Sequence, residues 1–187
     1  MLILHKFLGD DSLKHFVGLL GLLTLSACVT PQITTPPIPV VPNDANGAVG
    51  IDVYAGARAA GNPVPRFRGQ DIIEVRSIVV GTTGEIAGAS CTVDSGLYKA
   101  AFNSPANVIV PDYGSSSPAL FFRCVGPNGV SGSKTVTAFN ATQEGRSSSA
   151  TAEAGILGAI IVGAVSAANV NPESDSFDYP SVSINMQ

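Results

Sequence analysis

Histidine and tryptophan are the scarcest chemistry in this chain. Tryptophan is absent, and the two histidines, His5 and His15, both fall near the start of a 187-residue sequence. Beyond them, a Ser-His-acid triad, a Cys-His pair and a His-ligated metal site have no histidine to draw on. Charge is sparse as well. Charged residues make up 13% of the chain, the formal net charge is −4, and there is no basic run. Nothing electrostatic therefore favours nucleic acid as a partner. Past residue 28 the remaining lysines are Lys99 and Lys134, and no Ser-x-x-Lys hydrolase pair is expected from them. Asp94, Asp112 and Glu144 would have to meet in space for acid–base work, and their spacing gives no reason that they should. The expectation is a protein that is not an enzyme and takes no metal or cofactor.

What is present begins with an apolar run. Lys6, Lys14 and His15 precede Phe16 to Leu25, which has the length of a signal-peptide hydrophobic region and is short for a bilayer span. Asp10 and Asp11 are unusual in such a leader. Leu25-Ser26-Ala27-Cys28 closes the run and resembles the lipobox of bacterial lipoproteins. The resemblance implies a signal peptide over 1–27 and lipidation of Cys28, with acyl chains such as palmitate. Several chains anchor stably, at ~0.8 kcal/mol per buried CH₂. Val29, where an Asp would favour inner-membrane retention, implies the outer membrane, facing the periplasm or the cell surface. Of three cysteines, Cys91 and Cys124 are then left. Two thiols in an exported chain read as one disulfide. It encloses about 34 residues, which corresponds to roughly 3–4 kcal/mol in the chain-entropy model.

Val29 to Pro42 is rich in proline and threonine. Proline excludes helix and interior strand, so the stretch reads as an extended spacer at ~3.1 Å per residue. With the turn Asn43 to Gly47, it makes 28–47 a lipidated tether. Residues 48–187 read as a single β-rich domain. Val49, Ile51 and Val53 alternate with polar or small residues as a strand. Gly56 to Gly69 is a loop carrying Arg58, Arg66 and Arg68. Ile72 to Val80 is β-branched on both faces and reads as a central strand. Ala89, Cys91 and Val93, then Tyr98 to Phe102, Val108 and Val110, and Leu120, Phe122 and Cys124 give further short strands. Val136 and Ala138 continue the pattern, and Val182, Ile184 and Met186 end it. Short strands about ten residues apart, with Gly, Pro and Asn turns between them, predict a small β-sandwich.

Ala154 to Ala168 breaks that pattern. It is uncharged, apolar all round and rich in glycine and alanine. As a helix of fifteen residues it would extend about 22 Å, against a hydrocarbon core of about 30 Å. Gly155, Ala159, Gly163 and Ala167 recur every four residues and would form one narrow close-packing face. The expectation is one short Gly/Ala-rich helix that packs on the β domain or on a second copy without crossing the membrane.

Three segments together carry a second resemblance. Gly88-Ala-Ser-Cys91-Thr-Val, Ser104-Pro105 to Val110, and Leu120-Phe121-Phe122-Arg123-Cys124 resemble the paired-Cys β module of small proteobacterial envelope lipoproteins, loosely PEGA-like sandwiches. Gly155 to Gly163 and Tyr179-Pro180 are similar to the Gly-rich run and Tyr-Pro strand that often end them. The likeness covers roughly 86–187. Ala159 departs from it where a second glycine is common, and Ala168-Asn169 depart from it where an Asp often follows. It implies location and fold more than activity.

The function expected is thus a non-catalytic, lipid-anchored envelope protein that acts by tethering or protein contact. Its partners are the membrane, through the anchor, and an envelope protein or a second copy. The alternative is a periplasmic module binding an envelope glycan or peptide. Such a module would use an aromatic platform, for which Tyr54, Tyr98, Tyr113 and Phe121 are the candidates.

Overall fold

Most strands here follow from residues that alternate between branched or aromatic and small polar, so that one face can be buried. The computed structural model describes residues 32–81, 84–146 and 170–187. Cys28 and the run 154–168 lie outside the described residues. In chain order the elements are β1 (Ile38–Pro39), β2 (Val41–Pro42), the short helix α1 (Ala55–Ala59), β3 (Gly69–Val79), β4 (Ala89–Asp94), β5 (Tyr98–Ser104) and β6 (Ala106–Asp112). They continue as β7 (Leu120–Val125), β8 (Ser131–Val136), β9 (Phe139–Asn140), β10 (Phe177–Asp178) and β11 (Val182–Met186).

The strands form a small mainly-β sandwich. One sheet has the order β1-β6-β3-β11, and the other β2-β5-β4-β7-β8. β3 is central as expected, antiparallel to β6 and parallel to β11. The inner faces supply Ile73 and Val75, Val108 and Val110, and Ile184 and Met186 from one sheet. Val93, Tyr98, Leu120 and Phe122 meet them from the other. β4 and β7 alternate strictly between buried and exposed, because one face of each lines the core and the other meets solvent.

Both seams between the sheets are closed. The chain from β1 to β2 pairs first with β6 and then with β5, turning at Val40, which is 2% exposed. The stretch read as a spacer therefore contributes two strands. Proline tolerates this because each pairing is only two residues long and lies at a sheet edge. At the other seam, Ser131 and Gln187 exchange backbone hydrogen bonds, each 3.0 Å long. A side chain at Gly132 would collide with the Asn185 carbonyl, so glycine is what lets β11 come this close to β8.

Val49 to Tyr54 is not a strand. Gly47 and Gly50 have φ of 75° and 59°, and the chain folds into turns with a lone bridge between Val49 and Asp52. A Cβ at Gly56 would lie 2.6 Å from the Gly47 Cα, so two backbones cross here with no room for a side chain. Asp52, 8% exposed, holds the turn together. It accepts hydrogen bonds from Arg58 at 2.8 Å, the Tyr54 N–H at 3.1 Å and the Tyr113 hydroxyl at 3.2 Å.

Candidate functional site

Cys91 and Cys124 face each other directly across β4 and β7, wholly buried, and are joined by a disulfide with Cα atoms 4.0 Å apart. The bond ties two neighbouring strands of one sheet, not the two sheets to each other. Behind it lies a polar contact hidden in the core. The Ser104 hydroxyl donates to that of Ser77 at 2.8 Å, linking the two sheets beside the Cys91 sulfur. Both serines are buried. Ser77 stands out in the sequence only as a polar interruption of an apolar strand.

The three loop arginines are mostly spent on structure. Arg58 forms the ion pair with Asp52. Arg68 donates to the backbone carbonyls of Pro172, Glu173 and Asp175 and so fixes the turn before β10. Arg66 is exposed. Asp94, Asp112 and Glu144 do not come together. Asp94 caps the Gly96 N–H and Asp112 the Gly114 N–H, each at 2.6 Å, while Glu144 lies exposed in the helical residues 141–146. A different carboxylate group exists instead, formed by Asp71 with Asp112 and Asp178. Burial, then the charges of Asp112 and Asp178, push the Asp71 carboxyl up to about 6. Its Oδ2 is buried without a hydrogen-bond partner. Among the described residues no set of His, Cys, Asp or Glu has the arrangement of a metal site.

Ser131 does precede Lys134 at Ser-x-x-Lys spacing, contrary to expectation. On strand β8, positions three apart point to opposite faces, and the Lys134 amine donates to the Ser183 carbonyl at 3.3 Å.

Of the four candidate aromatics, Tyr98 is fully buried and Tyr113 nearly so. Tyr54 packs edge-on against Tyr113, with ring centres 5.1 Å apart. Phe121 alone projects outward, 47% exposed. It belongs to the outer face of the five-stranded sheet. The strand register sets out that face in rows. Lys99, Asp94, Phe121 and Thr135 form one, and Ala101, Thr92, Arg123 and Ser133 the next. Asn103, Ser90, Val125 and Ser131 form the third. Hydroxyl side chains occur in every row, β7 contributes Phe121, Arg123 and Val125, and Val41 on β2 extends the first row beyond Lys99.

Over the β8–β11 seam this face deepens into a groove of ≈ 720 Å³. Phe121 and Arg123 border it on the β7 side, Ser131 to Ser133 form its base, and Asn185, Gln187 and Val80 border it on the β11 side. Arg123 has neutral Thr92 and Ser133 as its cross-strand neighbours. Among the described residues no carboxylate pairs with it. The groove escaped the sequence reading because one side of it comes from Asn185 on β11 and the adjoining Gln187, and the place of β11 beside β8 is set by pairing across the whole domain.

No protein-family model, curated protein or solved structure matches this chain.

Proposed function

We propose that the protein is a lipid-anchored, non-catalytic component of the cell envelope that works by contact with a partner protein. The lipobox-like Leu25-Ser26-Ala27-Cys28 and the likeness to paired-Cys envelope lipoproteins support the anchor and the outer-membrane location. The contact reading rests on one observation. Phe121, and beside it Val125 at 43% exposure, stand at the middle of a sheet face whose other residues are polar or charged apart from Ala101 and the edge residue Val41. Regular alternation would place polar residues at both positions. Apolar and arginine side chains in a polar surround are the usual composition of a contact patch. A second reading, a module for an envelope glycan, draws support from the hydroxyl and amide groups of Ser131, Ser133, Asn185 and Gln187 in the groove.

The test places a photo-crosslinking residue at Phe121 of the lipidated protein in cells, with Val49, 71% exposed in the turns before α1, as control. A discrete protein adduct from position 121 and none from 49 is the expected result. Adducts of equal yield from both would remove the contact reading. Cys28→Ala is expected to abolish acyl labelling, and labelling that persists in that variant would remove Cys28 as the acylated residue.

A further inference from the structure

We infer that the groove over the β8–β11 seam is a docking site for an extended protein segment carrying an acidic side chain, which Arg123 receives while Phe121 packs against an apolar neighbour in the same segment. This rests on the contact reading above and names the chemistry of the partner.

The argument begins with charge. The chain carries a net −4, yet the side chains that line the groove include one cation, Arg123, and no Asp or Glu. Arg123 is exposed in mid-strand, where an acid directly opposite would ordinarily neutralise it. Thr92 and Ser133 stand opposite instead. The nearest acid on the face, Asp94, is already engaged by the Gly96 N–H at 2.6 Å and by the Asn43 amide. A guanidinium so placed is free to form a two-pronged bond with an incoming carboxylate, which is planar and matches its fork.

Geometry then selects the kind of partner. Phe121 and Arg123 are two positions apart on one strand, so they point the same way about 7 Å apart. An extended segment repeats its side chains on one face at that same interval, so an acidic residue and an apolar one two positions away meet both anchors in register. The hydroxyls of Ser131 and Ser133 line the base, where they meet a passing backbone without demanding a particular side chain. A neutral glycan would use the amides and the ring but would leave Arg123 unanswered.

The probe is a capped octapeptide of alternating valine and glutamate, compared with its glutamine counterpart and with a tetragalacturonate. Binding to the folded chain is followed by amide chemical shifts. The acidic peptide is expected to shift residues of β7 and β8. Affinity is expected to fall about tenfold on glutamate-to-glutamine replacement in the peptide, or on Arg123→Gln in the protein. Melting of Arg123→Gln should match the parent, since among the described residues no ion pair or hydrogen bond uses that side chain. Equal affinity for the glutamine peptide, or unchanged binding by Arg123→Gln, overturns the inference. So does tighter binding of tetragalacturonate than of the peptide, which assigns the groove to an acidic glycan. In cells, a Phe121 adduct whose yield ignores Arg123→Gln overturns the acidic partner but leaves the contact reading in place, so the two fail separately.

Discussion

Asp71 stands on β3 opposite Val110, with Asp112 and Asp178 as its charged neighbours. Burial, then those two carboxylates, raise its carboxyl from 3.8 to about 6. A folded-state value above the unfolded one means that folding favours the protonated form. The associated stability is complete below about 3.8 and is lost as pH rises through about 6. Asp71→Asn keeps the shape and removes the charge. It should raise the melting midpoint at pH 7.5 and change it little at pH 4. Melting curves of parent and variant at the two pH values decide this, and an equal shift at both would show that the charge is not the cause. Asp52 works in the opposite direction. Its burial alone would raise the carboxyl, but the hydrogen bonds from Arg58 and the Tyr54 N–H, the Arg58 charge and the Tyr113 hydroxyl together hold it below the usual range. Its contribution is present at neutral pH and is lost as pH falls through the folded value. Asp52→Asn should therefore lower the midpoint at pH 7 more than at pH 3.

At the scale of elements, the described residues on either side of the segment 147–169 meet each other. Before it, residues 141–146 are helical. After it, Asn171 to Asp175 form a turn that leads to β10. Asp175, only 1% exposed, joins the two. It accepts from the Asn140 amide at 2.8 Å and from the Asn171 N–H at 3.0 Å, and it pairs with Arg146 at 3.6 Å. These partners, Asn140 first, hold its carboxyl below the usual range. Backbone bonds from Ala141 to Ser176, and the Thr142 hydroxyl on the Ser176 N–H, add to the clamp. Arg146 and Asp175, one from each flank, meet at 3.6 Å. The apolar run 154–168 itself lies outside the described residues, and the expectation for it is packing without a membrane crossing. Two outcomes are expected. The unlipidated Cys28→Ala protein should leave membranes in an alkaline wash without detergent. Gly163→Leu, by filling the narrow face of Gly155, Ala159, Gly163 and Ala167, should lower the melting midpoint or dissolve an oligomer. Detergent-dependent extraction together with unchanged melting would favour a membrane-inserted run instead.

For the whole molecule, what could be read in advance depended on where the deciding contact lay. β4, β7 and β11 were legible because each buries one face, and alternation records that directly. The disulfide was legible from the even number of cysteines left once export is expected. Val49 to Tyr54 misled because its alternation is real, while the partner that folds it back, Tyr113, lies 61 residues from Asp52. Phe121 was visible as a candidate, whereas Arg123 gained meaning only once Thr92 and Ser133 were found opposite it. The prolines of Val29 to Pro42 misled for another reason. They exclude interior strands but not two-residue pairings at an edge, and those pairings close the seam between the sheets. That closure yields a last prediction. Removing residues 34–37, which are exposed and outside any strand, should leave the melting midpoint of the domain unchanged. Removing 38–42 deletes β1, β2 and Val40 and bares the edges of β5 and β6. Losing the buried Val40 alone costs about 1.5–3 kcal/mol, before the lost backbone pairings are counted. Thermal melts of the two deletions separate the readings. If both melt like the parent, the stretch is a spacer throughout. If only the second is destabilised, the spacer ends before Ile38 and residues 38–42 belong to the β domain.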